Sequence, residues 1–173
     1  MATFFSDDSE LEIPVSEEEI ESVVDAVLSA EGVERDCEVS VSIVDTKEMA
    51  ALNAKWRGID APTDVLSFEC DSPFDESIPN EVPIELGDIV LAPEVIAAQA
   101  PEFGNTPAEE FRLLLVHGML HLLGYDHVDE EGAERMEARE LAILQDLARA
   151  RGEDPATVRI GPTTRHANDE EEP

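Results

Sequence analysis

The sequence predicts an α+β domain: a small mixed β-sheet of about four strands packed with about five helices. Three observations carry this. Short stretches in which apolar and polar residues alternate are interleaved with longer stretches of helical period. There is no internal repeat and no run of about 18 apolar residues, which excludes a spanning helix. The length, 173 residues, fits one domain able to bury a core without disulfides. A single domain over residues 1–152 is therefore expected, with a polar, disordered tail over 153–173 ending HANDEEEP.

Each element has its own local signal. Residues 1–9 read as frayed, and Leu11, Ile13 and Val15 alternate with polar neighbours as one short strand would. Ser16 and Glu19 form a capping box for a helix whose stripe is Ile20, Val23, Val24, Val27 and Leu28, closed by Gly32. Val39, Val41 and Ile43 alternate with serines as a half-buried strand. Asp45 or Thr46 caps a second helix carrying Met49, Leu52 and Trp56. A loop with Gly58 and Pro62 leads to the strand Val65, Leu66, Ser67, Phe68, and residues 70–83 read as an acidic, proline-containing surface loop. Ile89, Val90 and Leu91 form the fourth strand, and Pro93 opens a helix to about residue 100. Thr106, Pro107 and Glu109 start the next helix with a cap, a first-turn proline and a completed box; it runs to Leu123, where Gly124 stops it. Asp129 begins the last helix, with Ala133, Met136, Leu141, Leu144 and Leu147, ending near Gly152.

Charge narrows the function classes. Lys+Arg is 11 against Asp+Glu 42, a net charge of −31, with the acids spread along the whole chain. Such a body repels phosphates at long range, so a nonspecific polyanion binder is excluded. The spread reads as a solvated acidic surface, with an acidic partner-binding face as the alternative. Mean hydropathy is −0.21 and the first residues lack a basic start and an apolar stretch, so neither a membrane protein nor a secreted one is expected; a cytoplasmic location is. Cys37 and Cys70 show no metal-binding spacing and are expected as reduced thiols packed as small hydrophobes.

Three of the four histidines lie within eleven residues, as His117-x3-His121-x5-His127. Positions four apart on a helix stand one above the other on the same face, so His117 and His121 can reach one ion. Gly124 can adopt φ > 0, which lets the chain reverse and return His127 as a third ligand. Three neutral imidazoles and a fourth position left to water are the donor set of a catalytic zinc; nickel, copper and iron also accept imidazoles. The spacing is that of the H-E-x-x-H-x-x-G-x-x-H zinc peptidases, making this a zincin-like metal helix, with one departure. Gly118 stands where a peptidase has its catalytic glutamate, which weakens a peptidase reading while leaving the ion site intact. His166, alone in the polar tail, is expected to be inert.

His117-Gly118 through Tyr125-Asp126-His127 resembles the H-G-x-L-H-L-x-G-Y-D-H signature of the YbeY family of bacterial endoribonucleases and ribosomal-RNA maturation factors. Asn53, Arg57 and the run Pro62, Thr63, Asp64, Val65, Leu66, Ser67, Phe68 resemble its N-x3-R and P-T-D-V-L-S-F block, and Gly87-Asp88-Ile89 its G-D-I strand. With Met136 and Glu140, the likeness covers roughly residues 10–150 in one order. The acidic loop 70–83, the tail and the charge depart from it. The resemblance implies a single-strand-specific, zinc-dependent endoribonuclease that matures the 3′ end of small-subunit (16S) ribosomal RNA and serves ribosome quality control. It further implies one zinc per chain held by His117, His121 and His127, activity dependent on Arg57 and His117, partners in ribosomal RNA and the small ribosomal subunit, and an α+β sandwich. The alternatives are a metal-dependent peptidase-like hydrolase and a non-catalytic assembly factor with a structural ion. Asp64, Asp88 and Asp126 are either turn and strand-end caps or carboxylates that hold a ligand imidazole. Thr63 and Ser67 either bind phosphate or close the turn.

Overall fold

Residues 2–7 and 11–161 are described by the computed structural model of the chain. Among them are four strands and five α-helices: β1 (Ala2–Asp7), α1 (Glu17–Ala30), β2 (Cys37–Ile43), α2 (Thr46–Arg57), β3 (Val65–Glu69), β4 (Ile84–Leu91), α3 (Pro93–Gln99), α4 (Pro107–Leu122) and α5 (Glu130–Ala150), with 3₁₀ turns at Ala100–Phe103 and Pro155–Thr157. The sheet order is β1-β2-β4-β3, parallel across the first three and antiparallel between β4 and β3, so it is mixed as expected.

Local chemistry sets the helix starts. Asp45 caps α2 by accepting from the Glu48 amide at 2.8 Å, while the Thr46 hydroxyl donates to Glu94. Thr106 and Glu109 exchange both bonds of the box at the head of α4. At α1 only half of the expected box forms. Ser16 accepts from the Glu19 amide, but the Glu19 carboxylate accepts from Arg112 at 2.7 Å and so ties α1 to α4. A charged donor outcompetes the neutral backbone N–H.

The large core lies between the sheet and α1, α4 and α5. Cys37, Val39, Val41 and Ile43 of β2 and Val65, Ile89 and Leu91 of β3 and β4 meet the apolar stripes of these helices. Burial pushes the Cys37 thiol pKa up. Helix α4 is at the centre, with eleven of its sixteen residues buried, so its sequence is apolar nearly all round. Side chains alternate across a strand, so Leu66, Val90 and Phe68 point to the opposite face, where they meet Met49 and Leu52 of α2 in a smaller cluster.

Four expectations need correction. The first strand is Ala2–Asp7, not residues 11–15, which run extended without pairing and bury only Val15. Strand β1 completes the parallel ladder on β2, a non-local pairing with no local signature, whereas Pro14 has no N–H to give a ladder. Strand β4 begins at Ile84, and its register against β2 shifts at Glu38/Val39, opposite Gly87. The packed chain continues past residue 152, since Val158 and Ile160 lie against the core; residues 162–173, including His166, lie outside the described residues. Cys70 is exposed rather than packed, and neither cysteine is in a disulfide. The acidic loop 70–83 is held by Arg35, whose guanidinium donates to the Asp75, Pro79 and Val82 carbonyls at 3.3, 2.6 and 3.3 Å.

Gly87 has φ +133°, and a Cβ there would stand 2.0 Å from the Phe68 carbonyl oxygen. Replacing it must spread β3 from β4. Gly87→Ala is expected to cost about 3 kcal/mol of stability, read as a lower denaturant midpoint with an unchanged slope.

Candidate metal centre

The C-terminal end of α4 carries His117 and His121 one turn apart, and a Schellman motif ends the helix. The Tyr125 amide donates to the Leu120 carbonyl and the Gly124 amide to the His121 carbonyl, each at 3.0 Å, with Gly124 at φ +101°. This reversal brings His127 back to the other two histidines. The three ring centroids are 4.5, 5.3 and 5.0 Å apart, and one ligand nitrogen from each ring lies within 4.8 Å of the others. The sequence-predicted triad is thus brought together.

Each of the two helical rings is oriented by a group that fixes its proton. His117 Nδ1 meets the Glu140 carboxylate of α5, both side chains being almost wholly buried. His121 Nδ1 lies 3.0 Å from the Tyr125 carbonyl oxygen, which only accepts, so that nitrogen carries the proton. With the Nδ1 atoms so engaged, the two Nε2 atoms are left facing one another across 3.0 Å. That is a separation two nitrogens sharing one cation can take, so the donor set fits a metal ion and the triad could hold one. The turn is itself braced. The Tyr125 hydroxyl donates to Glu31, and Arg139 donates to the other Glu31 oxygen at 2.7 Å. Burial first, then the Glu31 carboxylate, raises the Tyr125 phenol pKa.

His117 and His121 open onto a cleft of about 430 Å³, lined by these two, Tyr125 and Asp126 on one side and by Trp56, Arg57, Ser67 and Phe68 on the other. Arg57 is the last residue of α2, and it lines the same cavity as His117 and His121. Asn53, buried one turn earlier, donates to the Ala61 carbonyl at 2.7 Å and pins the loop after Arg57.

Other singled-out residues are spent on the scaffold. Asp64 accepts from the Val65 amide and from Gln99, each at 2.7 Å, and Gln99 also donates to Glu110, which accepts from Asn105. Asp126 accepts from the Val128 amide at 3.3 Å, and Asp88 lies exposed on β4. The Thr63 hydroxyl donates to Asp64 at 3.4 Å. Gly118 packs α4 on the sheet: a Cβ there would lie 3.2 Å from both Ile89 and Ser67, so a larger side chain requires these neighbours to shift. Sequence reasoning gave Glu140 no role. The available signal was a carboxylate on the apolar stripe of α5 between Met136 and Leu144, where a buried charge requires a partner.

Fold and cleft together define an α+β protein with a histidine cluster at the end of its central helix. The model of the family described as endoribonuclease YbeY matches residues 3–148. Among curated relatives, the endoribonuclease YbeY of Halorhodospira halophila is 46% identical over 75% of this chain and 82% of its own length. That of Moorella thermoacetica is 44% identical over 76% of this chain and 88% of its own. A solution structure of a Thermotoga maritima protein superposes with a TM-score of 0.57 at 25% identity, covering 84% of this chain and 89% of that one. The chain belongs to the YbeY endoribonuclease family, enzymes named for hydrolysing RNA phosphodiester bonds.

Glu140→Gln keeps the side-chain volume and removes the charge that makes His117 a stronger donor to a metal. Metal affinity is expected to fall roughly 10–100-fold, measured by competition with a chromophoric chelator, with the fold retained by circular dichroism.

Proposed function

We propose that the chain is a zinc-dependent, single-strand-specific endoribonuclease, acting in the cytoplasm on small-subunit (16S) ribosomal RNA at its 3′ end and in ribosome quality control. The reading rests on one observation above all: two imidazoles of a three-histidine cluster, His117 and His121, line the same cleft as a guanidinium. His117, His121 and His127 would hold one ion per chain. A divalent ion there would supply Lewis acidity toward a phosphoryl oxygen and lower the pKa of water toward about 7.

The remaining work belongs to the chain itself. Phosphodiester hydrolysis builds negative charge on the phosphoryl oxygens, and the Arg57 guanidinium, always charged, can pair two of them with its planar fork. Glu140 and the Tyr125 carbonyl keep the His117 and His121 protons on Nδ1, so that both Nε2 atoms remain donors toward the cleft. Gly118 supports this reading over peptide hydrolysis, since it stands where a peptidase has the residue that takes the proton from water, and it packs tightly against Ile89 and Ser67. On a body of charge −31, affinity for phosphates comes from this local site and from the ribosomal surroundings rather than from long-range attraction.

Arg57→Ala is expected to lower the rate of single-stranded RNA cleavage by about 10²–10³ while leaving bound zinc unchanged by elemental analysis. Retained cleavage would remove Arg57 from the catalytic group. Wild-type binding to protein-free RNA is expected to be weak and to decline steeply with salt, checked by filter binding across a salt series. Chelation should abolish RNA cleavage, and casein should remain intact throughout.

A further inference from the structure

Trp56 is the only tryptophan of the chain and is 51% exposed, although it lies on α2 above an apolar cluster where a large ring would ordinarily be covered. Its indole is held in place. The Phe68 ring meets it edge-on, with centroids 5.7 Å apart and planes at 64°, and Phe68 is anchored in β3. Lys55 Nζ stands 5.0 Å from the indole centroid. Lys55 and Arg57, two of the eleven Lys and Arg residues, therefore flank Trp56 in a chain with 42 acids. Strand β3 is a sheet edge, and the cleft passes over it from His117 and His121 to Trp56 and Phe68.

We propose that the Trp56 indole, fixed by Phe68, is a stacking subsite for one nucleobase of the RNA strand whose phosphate is held at Arg57. The inference rests on the endoribonuclease reading of the cleft and adds to it a place for the base. A bound base lies flat on the indole, and Lys55 turns from the ring toward a neighbouring phosphate. Stacking suits this protein because it depends little on net charge, whereas phosphate attraction is opposed by the acidic body. It also supplies a physical source of single-strand selectivity: a base within a duplex already has both faces covered by its neighbours and has none to offer the indole.

The experiment uses the zinc-loaded full chain. With a short single-stranded RNA, Trp56→Ala is expected to raise KM roughly 10-fold or more, with kcat changed far less and zinc content unaltered; Trp56→Phe restores most of the loss. RNA in which one nucleotide is made abasic, scanned along the strand, should show one position that costs the wild type the same factor and costs Trp56→Ala nothing further. Because the indole is unique, its fluorescence reports directly: a non-cleavable 2′-O-methyl single strand should quench it saturably, and the matching duplex should not. An unchanged KM in Trp56→Ala, additive losses at every abasic position, or cleavage without quenching would overturn the subsite and leave the nuclease reading standing. Absence of both cleavage and quenching in the wild type would remove that reading and the subsite with it.

Discussion

The contact between Glu140 and His117 joins a carboxylate with no exposed surface to an imidazole nearly as buried. Taking a carboxylate out of water costs several kcal/mol unless it is paired, and breaking such a pair by removing one partner typically costs about 3–5 kcal/mol. The contact therefore holds α5 in register on α4 and fixes the plane and tautomer of the first histidine together. The rest of the cluster is built on that ring. His121 stands one turn further, the Gly124 reversal returns His127, and the Tyr125–Glu31–Arg139 group locks the reversal to α1 and α5. One buried interaction thus serves as both packing and pre-organisation, which is how a small domain maintains a site without rigid crosslinks.

Helix α4 explains why the site is where it is. Its middle is buried on all sides, so its length and end are set by packing against the sheet and three helices, α1, α3 and α5, not by the site. Gly118 lets it approach β3 and β4 closely, and the closeness brings the His117 turn to the edge of the sheet. There the cleft spans two chemistries: histidines from the helical face, and the end of α2 with Arg57 and Trp56 from the other. The edge position of β3 is what allows a single cavity to reach both faces.

Much of this was legible in the sequence because it is local. Caps at Asp45, Thr106 and Asp129, the helical stripes, and the histidine spacing with its glycine all act within a turn or two of chain. The features that were not legible depend on residues far apart. Strand β1 is specified by the parallel edge of β2, and the Ser16 box is broken by Arg112 arriving from α4. Glu140 acquires its meaning only from His117, 23 positions away. Asp64 read as a loop cap, with a ligand imidazole as the alternative, and the Gln99 amide shows it to be part of a partly buried polar chain running to Glu110. Trp56 read as one more apolar helix position, because periodicity does not distinguish a covered ring from one left open by the absence of a neighbouring element.

The Arg35 clamp carries a different consequence. Its three acceptors are main-chain carbonyl oxygens rather than any of the surrounding carboxylates. Carbonyls have no proton to gain, so acidification that neutralises the neighbouring side chains leaves these three bonds in place. A loop rich in acids in this way keeps a path over the surface that a single guanidinium sets, whatever the charge of its own side chains.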